Sequence, residues 1–154
     1  MSWTKNLMNR ELPVLYACLA LAGTIPFIAG AIGLSVGYSF LPVVGATVIA
    51  VSLYALVILS FMAGSQWGMF FIAPHPRRAW LLLWSNFVAL SGWCLFLFTA
   101  PIIFILGLII LFSGMLFVDF YLQNLEITSR NYLGVRITAT IITLIALGVI
   151  ALNV

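Results

Sequence analysis

The stretch PIIFILGLIILFSGMLFVDFYL, residues 101–122, decides the fold, and Asp119 is its one charged side chain. A helix needs about 20 consecutive apolar residues to cross the hydrocarbon core of a bilayer. This stretch is long enough, and it lacks the alternation of apolar and polar positions that a membrane β-strand shows. Pro101 suits the first turn of a helix, where a backbone N–H has no intrahelical partner. Residues 101–122 are therefore predicted to form a transmembrane helix.

Four more apolar stretches of this kind occur along the chain, at about residues 13–34, 43–72, 79–98 and 133–152. Pro26 lies inside the first of them and should kink it, because proline lacks a backbone donor and clashes with the preceding turn. Of the 154 residues, 65% are hydrophobic and 6% are charged, whereas a soluble domain has roughly 25% charged residues. The sequence predicts an all-α integral membrane protein, with residues 1–154 forming one transmembrane domain, a five-helix bundle with short loops.

The basic side chains indicate how such a bundle is oriented. With five spans, all six fall at the end of the bundle that carries the N-terminus: Lys5, Arg10, Arg77, Arg78, Arg130 and Arg136. The positive-inside rule then predicts a cytoplasmic N-terminus and a periplasmic C-terminus in a bacterial inner membrane. In a mitochondrial inner membrane the basic end would face the matrix. No nucleic-acid-binding motif accompanies the net charge of +3, so the predicted partner is the lipid bilayer.

The sequence offers few groups for metal or cofactor chemistry. His75 is the one histidine and lies between two prolines, while Cys18 and Cys94 lie within separate spans. The spacing of the cysteines fits no metal motif, so they are predicted to be buried free thiols that act as small hydrophobic residues. No metal and no cofactor is expected, and an enzyme has the least support among the function classes.

Polar residues within the spans gather in the predicted cytoplasmic half. By helical rise, Gln66 and Asn86 lie roughly 10 Å inside that edge, and Asp119 and Arg136 about 5 Å inside it. Charged groups at membrane depth usually pair, so an Asp119–Arg136 ion pair is predicted between consecutive antiparallel helices. Two interpretations stay open for this pair: a structural clamp between the fourth and fifth spans, and part of a coupling or substrate site. Gln66 and Asn86 are expected to form hydrogen bonds between helices.

Two further patterns concern single helix faces. Arg136, Thr140 and Thr143 fall on one face of the fifth span. These threonines either bond carbonyls of their own helix or line a pathway. Ser60, Gly64 and Gly68 recur every four residues in the second span and allow another helix to approach closely. Packing within the chain is favoured over homodimerisation for this small-residue face.

Three motifs resemble segments of a known family. The run SFMAGSQWG at residues 60–68 resembles the S-F-x-G-G-x-x-W-G segment of domain-of-unknown-function family 3429, which includes mitochondrial transmembrane protein 69. The runs YLGVR at 132–136, followed by Thr138, and GTIPF at 23–27 are similar to its Y-L-x-L-R-x-x-L-T and G-x-I-P-F segments. The resemblance covers about residues 12–152, with Ala63 and Val135 as departures. It implies a small multi-span membrane protein without a settled activity, and its marked positions would be Gly64, Trp67, Gly68, Tyr132 and Arg136, with Asp119 where an acidic residue is usual.

Two function hypotheses remain from the sequence. In the first, the chain is a binding or transport module for a small polar or amphipathic ligand, in which Arg136 attracts an anionic group. Its polar cavity, open to the cytoplasm, would be walled by Gln66, Trp67, Asn86, Asp119, Tyr132 and Arg136. In the second, the chain is an accessory or assembly subunit of a larger membrane complex, such as a respiratory one, and it uses the small-residue face.

Overall fold

In a computed structural model of the chain, the described residues are 14–42, 45–72 and 79–154. The helices are α1 (described over residues 14–22), α2 (Ile25–Ser35), α3 (Thr47–Ile72), α4 (Ala79–Phe98), α5 (Pro101–Asn124) and α6 (Arg130–Ala151). Between α2 and α3, strands β1 (Phe40–Leu41) and β2 (Gly45–Ala46) pair antiparallel, with Phe40 opposite Ala46. Five residues that entered the sequence-based predictions lie outside the described residues, namely Lys5, Arg10, His75, Arg77 and Arg78, as do positions 13, 43 and 44 of the predicted spans.

Five segments within the described residues are long and apolar enough to cross a membrane, which confirms the predicted all-α membrane bundle. The first, Val14–Ser35, contains α1 and α2, and the others correspond to α3, α4, α5 and α6. The last span begins at Arg130 rather than near residue 133, because Ser129 caps the helix by accepting a hydrogen bond from the Tyr132 N–H at 3.1 Å. The first turn of α6 is polar, so it is helical but lies outside the apolar stretch that the sequence analysis identified.

The first span is interrupted at Gly23 and Thr24, which form a turn, and Pro26 lies in the first turn of α2. The predicted kink therefore takes the form of a break just before the proline, where the helical hydrogen-bond ladder cannot continue. Two hydroxyls satisfy carbonyls near the break. The Thr24 hydroxyl donates to the Leu21 carbonyl at 2.7 Å, and the Tyr54 hydroxyl of α3 donates to the Gly23 carbonyl at 2.8 Å.

Helix α5 lies at the centre of the bundle. It packs against α3, α4 and α6, and it buries a row of side chains that includes Phe104, Leu108, Phe112 and Met115. Its Phe112 ring meets the Phe27 ring of α2 edge to face at 6.1 Å. Helices α3 and α5 are equally buried among the five spans, and their side chains together form much of the core.

Large apolar side chains also cover the outside of the bundle, as a bilayer would require. Phe98, Ile110 and Phe117 are among the most exposed. Cys18 and Cys94 lie on this outer surface as well, and both are free thiols. The prediction that these cysteines are buried is wrong, because α1 and α4 turn these two positions away from the other helices.

The contact between α2 and α3 depends on the absence of a side chain at Gly30. A Cβ atom there would overlap Cγ2 of Val51. Gly30→Ala is therefore expected to lower the free energy of unfolding by about 1–3 kcal/mol, as overpacking of a filled core does. Thermal unfolding in detergent measures the loss, which Val51→Ala should partly reverse.

The matched control for this prediction is Gly33→Ala in the same helix, whose added Cβ would have its nearest neighbour, Tyr38 Cβ, at 3.9 Å. The control is expected to unfold like the unmodified protein. Equal stability of the Gly30 and Gly33 variants would contradict the close approach of α2 to α3.

Candidate functional site

The predicted ion pair between α5 and α6 is present. Arg136 Nε lies 2.8 Å from Asp119 Oδ2, and the side chains are 13% and 3% exposed, respectively. Asp119 is near the end of α5 and Arg136 is in the second turn of α6, so the short connection between antiparallel helices brings the two residues to one level. The Ser129 cap helps to set this level, because it fixes where α6 begins.

The ion pair occupies only one of the hydrogen-bond donors of the Arg136 guanidinium. An arginine side chain has five N–H donors in a planar fork, and the hydrogen bond to Asp119 takes the one at Nε. Nη2 is buried, and none of the described residues provides it with a partner. Leaving a buried charged donor unpaired costs at least 1–3 kcal/mol, so the arginine retains a demand for another acceptor.

Beside Arg136 lies a cavity of about 450 Å³, a volume within the range of roughly 300–1,000 Å³ that is common for ligand sites. We call it the Arg136 cavity. Its lining residues come from α1, the turn at Gly23 and Thr24, α2, α3 and α6, together with Phe112 of α5. Its polar lining residues are Tyr16, Thr24, Ser65, Tyr132, Arg136, Thr140 and Thr143, and its apolar ones include Leu19, Phe27, Ile58, Phe61 and Met62.

The Arg136 cavity is polar at one end. The rings of Tyr16 and Tyr132 stack there, with centroids 5.7 Å apart and planes inclined by 20°. Tyr132 precedes Arg136 by one helical turn, so the stacked pair lies on the side of Arg136 nearest the start of α6. The guanidinium and two phenol groups thus share this end, and the apolar walls begin beyond it.

Thr140 and Thr143 continue the lining of the cavity along α6. No hydrogen bond joins either hydroxyl to another described residue, whereas the neighbouring Thr138 donates to the Gly134 carbonyl at 3.1 Å. Of the two alternatives considered for this face, bonding within the helix therefore does not apply to Thr140 and Thr143. Both residues line the cavity, and by helical rise the stripe extends about 10 Å from Arg136 to Thr143.

The structure brings only some of the predicted site residues to this cavity. Tyr132 and Arg136 line it, and Asp119 lies behind Arg136. Gln66 and Trp67 do not line it, because α3 turns Ile58, Phe61, Met62 and Ser65 toward the cavity instead. Gln66 is buried with neither amide atom paired among the described residues. Trp67 is half-exposed on the outer surface.

Asn86 also lies away from the cavity, on an exposed face of α4. Its side-chain amide donates to the Leu82 carbonyl at 2.8 Å, so it bonds its own helix and not a neighbouring one as predicted. Conversely, sequence reasoning missed Tyr16 and Ser65. A signal for Tyr16 was available, because Tyr16, Ala20 and Gly23 follow the spacing of one helix face and all three line the cavity.

The small-residue face of α3 does not pack within the described chain. Ser60, Gly64 and Gly68 are exposed, and a Cβ atom added at either glycine would meet nothing within 4 Å. Among the described residues, the packing partner that was predicted for this face is therefore not found. The helix buries the side that carries Leu59, Met62 and Ala63 instead.

The Asp119–Arg136 pair makes the stability of the bundle depend on both residues together. Asp119→Asn and Arg136→Gln are each expected to destabilise by about 3 kcal/mol, because each leaves a buried charge without its counter-ion. The double variant is expected to cost clearly less than the sum, since its two amides carry no charge. Unfolding in detergent micelles measures the free energy of unfolding of the unmodified protein, the two single variants and the double variant. Thr138→Val serves as a control substitution on α6. Additive losses would show that the two side chains are not coupled.

A family model described as "Protein of unknown function (DUF3429)" matches residues 12–152 of the chain. This is the family that the motifs at residues 23–27, 60–68 and 132–138 resemble. No curated protein and no solved structure matches the chain.

Proposed function

Because the chain belongs to the DUF3429 family, whose description assigns no activity, we propose its function from the site itself: it is a membrane-embedded binding module for an amphipathic molecule with an anionic group. One observation carries the proposal. Arg136 lines a cavity of about 450 Å³ with hydrogen-bonding capacity left over, while its counter-ion lies behind it. The binding step is common to a carrier that only holds this molecule and to a transporter that releases it elsewhere.

The position of Asp119 supports an anionic ligand. Its side chain is almost inaccessible and is not among the residues that line the cavity. A ligand would therefore meet the cation and not the carboxylate. Planar guanidinium groups match carboxylates and phosphates with paired hydrogen bonds, and Asp119 would hold the guanidinium in position while lowering the cost of burying it.

The apolar walls support an amphipathic ligand over a small hydrophilic one. Leu19, Ile58, Phe61 and Met62 surround the space next to the polar end. An ion without an apolar body would leave these walls uncovered and would lose its own hydration. An apolar tail would cover them and add the free energy of hydrophobic burial.

We also propose the orientation and the membrane. The six basic residues of the sequence favour a cytoplasmic N-terminus in a bacterial inner membrane, or the matrix side in a mitochondrion. The polar end of the Arg136 cavity would then face the cytoplasm, since Arg136 is near the start of α6. Ligand exchange with the cytoplasmic leaflet follows from this orientation.

Binding of dodecanoate by the purified protein, with dodecanol as the neutral probe of equal chain length, tests the proposal. The Asp119→Asn/Arg136→Gln double variant keeps the site neutral and should fold, but it lacks the cation. Its affinity for dodecanoate is expected to fall about 10- to 100-fold, since hydrogen bonds to charged groups contribute about 1.5–3 kcal/mol. Arg136→Lys should retain part of the affinity.

Thr138→Val is the control for this experiment, because Thr138 is exposed and is not among the residues lining the cavity. Its affinity is expected to equal that of the unmodified protein. Unchanged dodecanoate binding by a folded double variant would refute the proposal, as would equal binding of dodecanol and dodecanoate by the unmodified protein.

A second candidate function, an accessory subunit of a larger membrane complex, is favoured by the uncovered small-residue face. Small residues let the backbones of two membrane helices approach closely, and open space lies over Gly64 and Gly68. Gly64→Leu is expected to abolish co-purification of a stoichiometric membrane partner after gentle detergent extraction. Gly148→Leu, at another position with open space, should retain the partner. Extraction of the unmodified protein without a partner would contradict this candidate.

A further inference from the structure

We propose that the occupant of the Arg136 cavity is a single-chain anionic lipid that enters sideways from the bilayer, between Leu19 of α1 and Phe61 of α3. The inference rests on the proposed function, and it adds the class of ligand and its route. Three observations carry it: the exposure of the two residues at the opening, the aromatic pair at the aqueous end, and the order of polar and apolar groups along the cavity.

The opening lies on the outer surface of the bundle. Leu19 and Phe61 both line the cavity, and yet they are 65% and 74% exposed. Phe61 is also far from either end of α3, about 16 Å from Ile72 by helical rise. At that depth the surroundings of a membrane-spanning helix are lipid chains. The cavity therefore communicates with the hydrocarbon region of the bilayer.

An aromatic pair lies beside Arg136 at the other end of the cavity. The stacked rings of Tyr16 and Tyr132 both belong to the cavity lining, and they lie between Arg136 and the start of α6. A water-soluble anion that approached from the start of α6 would pass this stacked pair, of which Tyr16 is 37% exposed. A lipid that moves between α1 and α3 would leave the stack intact.

The order of groups along the cavity matches the orientation of a lipid in the same leaflet. Arg136 lies about 9 Å from the start of α6, and the cavity continues about 10 Å further to Thr143. The guanidinium would meet an anionic head near the membrane surface, and the tail would extend toward the bilayer centre. Thr140 and Thr143 offer unpaired hydroxyls to oxygen atoms that follow the head. The lipid thus enters without turning over.

The size of the cavity favours an occupant with one chain. A volume of about 450 Å³ is near the lower end of the range for ligand sites, and the bulky rings of Phe27 and Phe112 belong to its lining. A monoacyl phosphate or carboxylate fits such a space. A diacyl phospholipid would leave its second chain outside.

The experiment uses a photoactivatable monoacyl phosphatidate, with a diazirine in its chain, in phosphatidylcholine vesicles that contain the full-length protein. The background carries Cys18→Ser and Cys94→Ser, because both thiols are exposed. Phe61→Cys is then modified with a bulky thiol reagent that a reductant removes. Leu83→Cys, modified in the same way, is the matched control, since Leu83 is 75% exposed and is not part of the cavity lining.

Photolabelling of cavity residues, mapped by mass spectrometry, is expected in the unmodified protein. The bulky group at position 61 should reduce it at least tenfold, the reductant should restore it, and the group at position 83 should leave it unchanged. The Asp119→Asn/Arg136→Gln variant should also lose the labelling. A diacyl phosphatidate probe should label the cavity at least tenfold less than the monoacyl probe.

The possible failures are distinguishable. If the group at position 61 leaves labelling unchanged while the double variant loses it, lateral entry is overturned and anion binding at Arg136 stands. Equal labelling by the diacyl probe overturns the single-chain assignment. If the folded double variant is labelled like the unmodified protein, both this inference and the proposed function are overturned.

Discussion

Burial of a guanidinium among apolar helices is the constraint on which the rest of the structure depends. An uncompensated charge near the middle of a membrane helix costs about 3 kcal/mol on insertion scales and more in simulations. Asp119 compensates this charge at a distance of 2.8 Å. The pair sets the position of α6 along α5. It thereby also positions Tyr132, whose ring stacks on the ring of Tyr16 in α1. The Asp119–Arg136 ion pair therefore both stabilises the packing of α5 against α6 and positions the guanidinium that lines the cavity.

The bundle divides its polar groups between two tasks. Ser113, Thr99 and Asn86 donate to carbonyls one turn earlier in the same helix, which satisfies them without a partner helix. Arg136, Thr140 and Thr143 instead face a common space. Since a polar group in lipid must find a partner, a group with capacity left over is informative about what the protein binds.

The sequence was sufficient for the spans and for the ion pair, but not for the rotation of the helices. Length and apolarity identify a span, and helical rise gives depth, so Asp119 and Arg136 could be matched from the sequence. In a membrane protein both the inner and the outer side of a helix are apolar. Hydrophobicity therefore does not indicate which side of α3 turns inward, and Gln66, Trp67 and the small-residue face could not be assigned correctly. The depth of the pair indicates Arg136, whereas Tyr132 enters the predicted cavity only through the motif at residues 132–136.

The break at Gly23 and Thr24 has a mechanical consequence. Tyr54 holds the Gly23 carbonyl at 2.8 Å, so the point between α1 and α2 is anchored to α3 while the α1 segment before it has no ladder continuing into α2. Such a break would let α1 tilt about Gly23, from which Tyr16 is about 10 Å distant by helical rise. Tilting α1 by about 10° would displace Tyr16 by about 2 Å while α2 stays in its packed position. A tilt of this kind would change the width of the space beside Arg136 at the expense of the Tyr16–Tyr132 stack, and the core around α2 would keep its packing.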